Sequence, residues 1–138
     1  MKLTDVVPNL IVSNIDKSTA FYRDILSFSV VATVPEQGPP VFVWLQRDEV
    51  SVFLNVPSSV SEDMPSLAKR PIGGTAGLFV TLDADDVEGG IDMLFRAIDG
   101  RSSVLMPLKD QFYGMREFAI EDPDGYVITF AQRIAERT

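Results

Sequence analysis

Arg116-Glu117-Phe118-Ala119-Ile120-Glu121-Asp122-Pro123-Asp124-Gly125-Tyr126-Val127-Ile128-Thr129-Phe130 reads as a hairpin, residues 116–120 and 126–132 being strands around a tight turn. Pro123 suits the second turn position and Gly125 accepts a positive φ. Upstream, residues 103–108 form a short strand. Before them Val87, Ile91, Leu94, Phe95 and Ile98 recur at helical spacing, with Asp85 or Asp86 as cap and Gly100 as terminator. Residues 76–82 open this run as a strand.

The same order occurs earlier in the chain. Residues 6–12 are apolar and β-branched, predicting a strand. Asn14 or Asp16 caps a helix of about three turns that carries Ile15, Ala20, Phe21, Ile25 and Leu26. Residues 28–34 form a strand stopped by Pro35 and by Gly38-Pro39-Pro40. Residues 41–46 and 50–56 form a hairpin around Arg47-Asp48-Glu49. The segment 57–75, rich in Ser and Pro and closed by Gly73-Gly74, reads as a loop without secondary structure.

The fold class is therefore α+β: tandem βαβββ modules forming a cupped mixed sheet with helices packed outside. Neither module has enough core alone, so residues 1–138 read as one domain, with module one about 1–56, a loop 57–75 and module two about 76–138.

Composition bounds the function. Hydrophobic residues make up 46% of the 138, so the chain is globular. No apolar run approaches the ~18 residues of a membrane span, and the start does not read as a signal peptide, so the default location is cytoplasmic, with no membrane partner. The net charge of −8, from 20 acids against 12 bases, repels phosphate backbones and argues against nucleic acid. It favours a cationic small molecule, or serves only to keep the protein soluble. Zero histidines and zero cysteines remove imidazole bases, thiolate nucleophiles and the commonest metal ligands.

Two stretches resemble a known family. Residues 8–18, running into Ala20-Phe21-Tyr22-Arg23-Asp24-Ile25-Leu26, look like the opening strand and helix of vicinal-oxygen-chelate proteins. The 116–130 hairpin is similar to the last hairpin of glyoxalase I and of bleomycin-resistance proteins. Metal-dependent members of the family carry four ligands. Their positions fall here on Val7, near Leu54, on Gly77 and on Thr129, which implies no metal and no cofactor. The segment 110–118 resembles antibiotic-sequestering members, with Tyr113 at the position of their ligand-stacking Trp, Phe112 in place of a proline, and Met115 as an extra residue.

Alternation then sets the lining of the expected cup. Asn9 and Ile11 share the face of Val7, Phe79 and Thr81 that of Gly77, and Val127 and Ala131 that of Thr129. Gly77 is expected to leave space where a ligand side chain stands in relatives. Either Phe42 and Trp44 or Val43 and Leu45 face the cup, and Arg116 and Glu117 point to opposite faces, one toward a charged ligand and the other toward solvent. The expected ligand-binding residues are Asn9, Ile11, Trp44, Phe79, Tyr113, Glu117 and Thr129, with no catalytic residue assigned. The resulting expectation is a metal-independent protein that sequesters an aromatic, cationic small molecule, and the family resemblance implies that it is a homodimer. Two other readings stay open: metal-free chemistry through Tyr113, Glu117 or Thr129, and a dimeric interaction module whose cup is filled by its own side chains.

Overall fold

A computed structural model describes residues 1–74 and 76–134 and divides the chain into two compact units, one ending at Gly73 and one starting at Gly74. Each unit runs strand, helix and three strands, and each contains one four-stranded mixed sheet. The α+β class and the tandem βαβββ order are those expected from the sequence.

In the first unit β1 (Asn9–Ile11) lies parallel to β4 (Val50–Asn55), followed by β3 (Phe42–Arg47) and β2 (Ser29–Val34) in antiparallel pairing. Asn14 starts α1 (Ile15–Ala20), its side chain accepting the Lys17 N–H at 3.0 Å. Asn14→Ala should cost about 1 kcal/mol of stability, read from the shift in a urea unfolding curve, because that amide then loses its acceptor. The helix widens into a π turn at Phe21–Ile25. Helix α1 packs on β3 and β4 and covers Leu10, Val12, Val43, Leu45, Val52 and Leu54, none more than 8% exposed. Tyr22 fills the corner, edge-on to Phe21 and Phe28 at 5.3 and 5.9 Å.

The second unit orders its strands β5 (Gly77–Thr81), β8 (Val127–Arg133), β7 (Met115–Glu121) and β6 (Ser103–Asp110), with β5 parallel to β8. A wide turn at Glu88–Asp92, kinked at Gly90 (φ −106°, ψ −106°), leads into α4 (Met93–Ile98), and Gly100, at φ 85°, closes the helix. The 122–125 turn forms as read. Asp122 Oδ1 accepts from the Asp124 and Tyr126 amides at 2.9 and 3.0 Å, and Gly125 sits at φ 85°. On the helix side Phe118 stacks on Phe130 at 5.2 Å and meets Phe95 edge-on at 5.1 Å.

Three expectations are corrected. Strand β1 begins at Asn9 rather than at residue 6. Both main helices include a wide turn that spacing alone does not signal. The 57–75 segment is not structureless: Pro57–Val60 (α2) and Pro65–Ala68 (α3) are helical turns, each opened by its proline. A proline at the first helical position donates no hydrogen bond that the helix needs, so here it starts a turn rather than breaking one. Among the described residues no helix is long and apolar enough to cross a membrane.

Candidate functional site

In the first sheet the face turned away from α1 carries a polar and aromatic surface. Register places Asn9, Phe53 and Trp44 in one row across β1, β4 and β3, with Ile11, Asn55 and Phe42 in the next. Phe53 meets Phe42 at 5.2 Å and Trp44 edge-on at 5.9 Å. The Trp44 indole N–H donates to Ser51 Oγ at 3.1 Å, and the Asn55 amide donates to Asn9 Oδ1. Side chains two apart share a face, so once Val43 and Leu45 pack beneath α1, Phe42 and Trp44 must point the other way. Asn9 is exposed, Trp44 is half-buried and Ile11 is 8% exposed.

In the second sheet the face turned away from α4 carries Phe79, Thr129 and Ala119 in one row and Thr81, Ala131 and Glu117 in the next. Phe79 is 58% exposed. Tyr113 projects from the 111–114 turn, which is closed by the Gln111 amide donating to Met115 O at 2.8 Å with Gly114 at φ 82°. Its hydroxyl donates to Glu117 Oε2 at 2.7 Å, and its ring lies edge-on to Phe112 at 5.1 Å. That hydrogen bond to a carboxylate, aided by partial desolvation and by the charge itself, raises the Tyr113 pKa above its ordinary value.

Arg116 points to the helix side, opposite to Glu117, where it stays partly exposed to solvent. Its guanidinium grips Asp110 at 2.7 and 3.1 Å and Asp92 at 3.1 and 3.2 Å. These hydrogen bonds raise the Arg116 pKa and hold the Asp110 carboxyl below the usual carboxylate range. The residue therefore clamps the helix to the 110–116 end of the hairpin.

The positions of the family's metal ligands are also specific. Leu54 is fully buried against α1, so the open-face residues at that level are Phe53 and Asn55. Val7 precedes β1. Gly77 does not leave free space as expected, because a Cβ there would lie 3.2 Å from Val127 O. The glycine permits close approach of β5 and β8. Thr129 contributes one hydroxyl. Among the described residues no group of three or more Asp, Glu, His or Cys side chains is gathered to hold an ion. Asn55 in the first unit and Thr129 in the second each offer one uncharged oxygen donor at these positions, which does not fit a divalent cation taking about four to six donors.

Sequence reasoning left Phe42 open and did not count Phe53, Ser51 or Asn55 as site residues. Phe42, Trp44, Ser51, Phe53 and Asn55 share one parity about the 47–50 turn, opposite to Val43, Leu45, Val52 and Leu54, but parity alone does not say which set the helix covers.

Two βαβββ units, each sheet covered by a helix on one face and bearing aromatic and polar groups on the other, define a paired-module α+β protein. A model of the Glyoxalase/Bleomycin resistance protein/Dioxygenase superfamily matches residues 4–130, and the chain belongs to that superfamily. It is 36% identical over 138 residues to bleomycin resistance proteins of Geobacillus stearothermophilus and of Staphylococcus aureus, covering 93% of this chain and 96% of each relative. Among solved structures it is similar to a glyoxalase/bleomycin resistance protein/dioxygenase from Nocardioides, with TM-score 0.76, 20% identity, and coverage of 100% of this chain and 88% of that one. TioX from Micromonospora sp. ML1 gives TM-score 0.72 at 16% identity, covering 95% and 99%. These structures agree in fold.

Proposed function

We propose that the protein sequesters an aromatic, cationic small molecule of the bleomycin type by stoichiometric burial, without making or breaking bonds. The observation that carries this reading is the aromatic surface of Phe42, Trp44 and Phe53, flanked by hydrogen-bonding Asn9, Ser51 and Asn55. Flat rings suit such a surface, stacking adding about 0.5–1.5 kcal/mol beyond buried area. The bleomycin resistance relatives at 36% identity support the same ligand class. The net charge of −8 favours a cation over an anion.

In this reading the two units act as one cytoplasmic domain that forms a homodimer. Val30, Val31 and Val34 on the edge strand β2, 40–54% exposed, supply apolar surface for a second copy.

The test is a thermal-shift titration of metal-free protein against bleomycin, other cationic antibiotics and divalent metals. Bleomycin should give a saturable stabilisation, about 2.7 kcal/mol at a hundredfold excess over Kd. Trp44→Leu should weaken binding roughly two- to tenfold through lost stacking. Stabilisation by a metal and not by bleomycin, or no response to any antibiotic, would overturn the reading.

A further inference from the structure

Glu117 is 3% exposed although its side chain lies on the face of β7 turned away from α4. A carboxylate removed from water is costly unless a cation or several donors replace the water. Among the described residues one such bond reaches it, from the Tyr113 hydroxyl at 2.7 Å. On the same face Met115 and Ala119 flank it along β7, and Ala131 lies across on β8. Lys109 is its partner across the β6–β7 ladder, yet among the described residues no lysine or arginine forms an ion pair with it. Arg116, the adjacent residue, is committed to Asp92 and Asp110 on the opposite face.

The group hydrogen-bonded to this carboxylate lies at the surface. Tyr113 is 37% exposed, belongs to a turn, and meets Phe112, itself 98% exposed, through its ring edge. Rotation of one side chain removes the hydroxyl from Glu117 and brings an aromatic ring and a bare carboxylate to the same spot.

We propose that Glu117 is the counter-charge for a protonated amine or guanidinium carried by an aromatic ligand, covered by Tyr113 in the free protein and uncovered when Tyr113 turns to stack on that ligand. The inference rests on the sequestration reading and narrows it, since an aromatic compound without a cation would leave Glu117 buried and unpaired. A charge-assisted contact in a water-poor setting is worth more than its exposed equivalent, so the discrimination should be large.

Two probes test it: bleomycin, and a derivative with its primary amine acetylated and its cationic tail removed. Calorimetric titration of the wild type should show bleomycin bound about tenfold to a hundredfold more tightly than the neutralised probe. Glu117→Gln should bind both probes alike, at about the neutralised probe's level. Tyr113→Phe keeps the ring, loses the hydroxyl and should retain the preference for the cation. If the wild type binds both probes equally, the counter-charge role falls while sequestration stands, and the same holds if Glu117→Gln weakens both by one factor. If neither probe binds the wild type, sequestration and the counter-charge fall together. The wild-type comparison does not depend on any variant folding.

Discussion

Phe118→Ala is expected to lower the unfolding free energy by about 3–5 kcal/mol, a large part of the 5–15 kcal/mol that holds a typical domain. The ring is 0% exposed, stacked on Phe130 at an interplanar angle of 28° and edge-on to Phe95 at 70°. Truncation removes contacts with β8 and with α4 together, and the neighbours on two different elements cannot close the cavity by one rotation. Phe118→Leu should cost less, within about 1.5 kcal/mol, because most of the volume stays. The control lies on the other face of the same sheet. Phe79, 58% exposed, should lose no more than about 0.5 kcal/mol as Phe79→Ala. Urea unfolding of the three variants checks the division of faces, and equal losses at Phe79 and Phe118 would contradict it.

The alternation itself was legible in the sequence because it is local. Phe79 and Thr129 come from two strands, and the register joins them on one face as the alternation implies; Glu117, left open against Arg116, joins that face too. The 122–125 turn was equally legible, since proline and glycine restrict the backbone wherever they stand. Other features depend on distant partners and leave no local trace. Arg116 has the composition of a surface residue, and only folding brings Asp92, 24 residues away, to its guanidinium. Gly77 resembles a missing side chain until the Val127 carbonyl on β8 is seen beside it. The prolines of the 57–75 segment suggest breakage, but at the first position of a turn the same ring favours helix. The choice of Phe42 and Trp44 over Val43 and Leu45 required knowing which face α1 covers.

Under the sequestration proposal the two faces divide the labour between stability and recognition. Aliphatic and aromatic groups beneath α1 and α4 are sealed, so substitution there reads out in unfolding. Those on the opposite faces retain exposed ring surface and polar edges, so substitution there should read out in ligand affinity. Glu117 is the exception, a buried charge on a recognition face, and this mismatch between its burial and its partners motivates the counter-charge proposal.

Gly90→Ala should cost about 2–4 kcal/mol although it adds a single methyl group. A Cβ at this position would lie 2.1 Å from Gln132 Oε1 and 2.9 Å from the Ala84 Cβ. The Gln132 amide is 2% exposed and fully engaged. Its Oε1 accepts from the Ile91 N–H at 2.9 Å, while its Nε2 donates to Asp86 O at 2.9 Å and to Ala84 O at 3.3 Å. The added methyl evicts this side chain and strands the Ile91 amide and two carbonyls where water does not readily replace it. Gln132→Ala should lose a similar amount by removing the same bonds directly. The double variant separates the causes. If the methyl acts through Gln132, Gly90→Ala adds little once Gln132 is already alanine, and the pair falls short of additivity by about 1–3 kcal/mol. Simple additivity in urea unfolding would assign the cost to Ala84 or to the backbone of the wide turn instead. Because Gln132 ties β8 to the start of the helix through three backbone groups, the glycine at 90 is fixed by a residue 42 positions later in the chain.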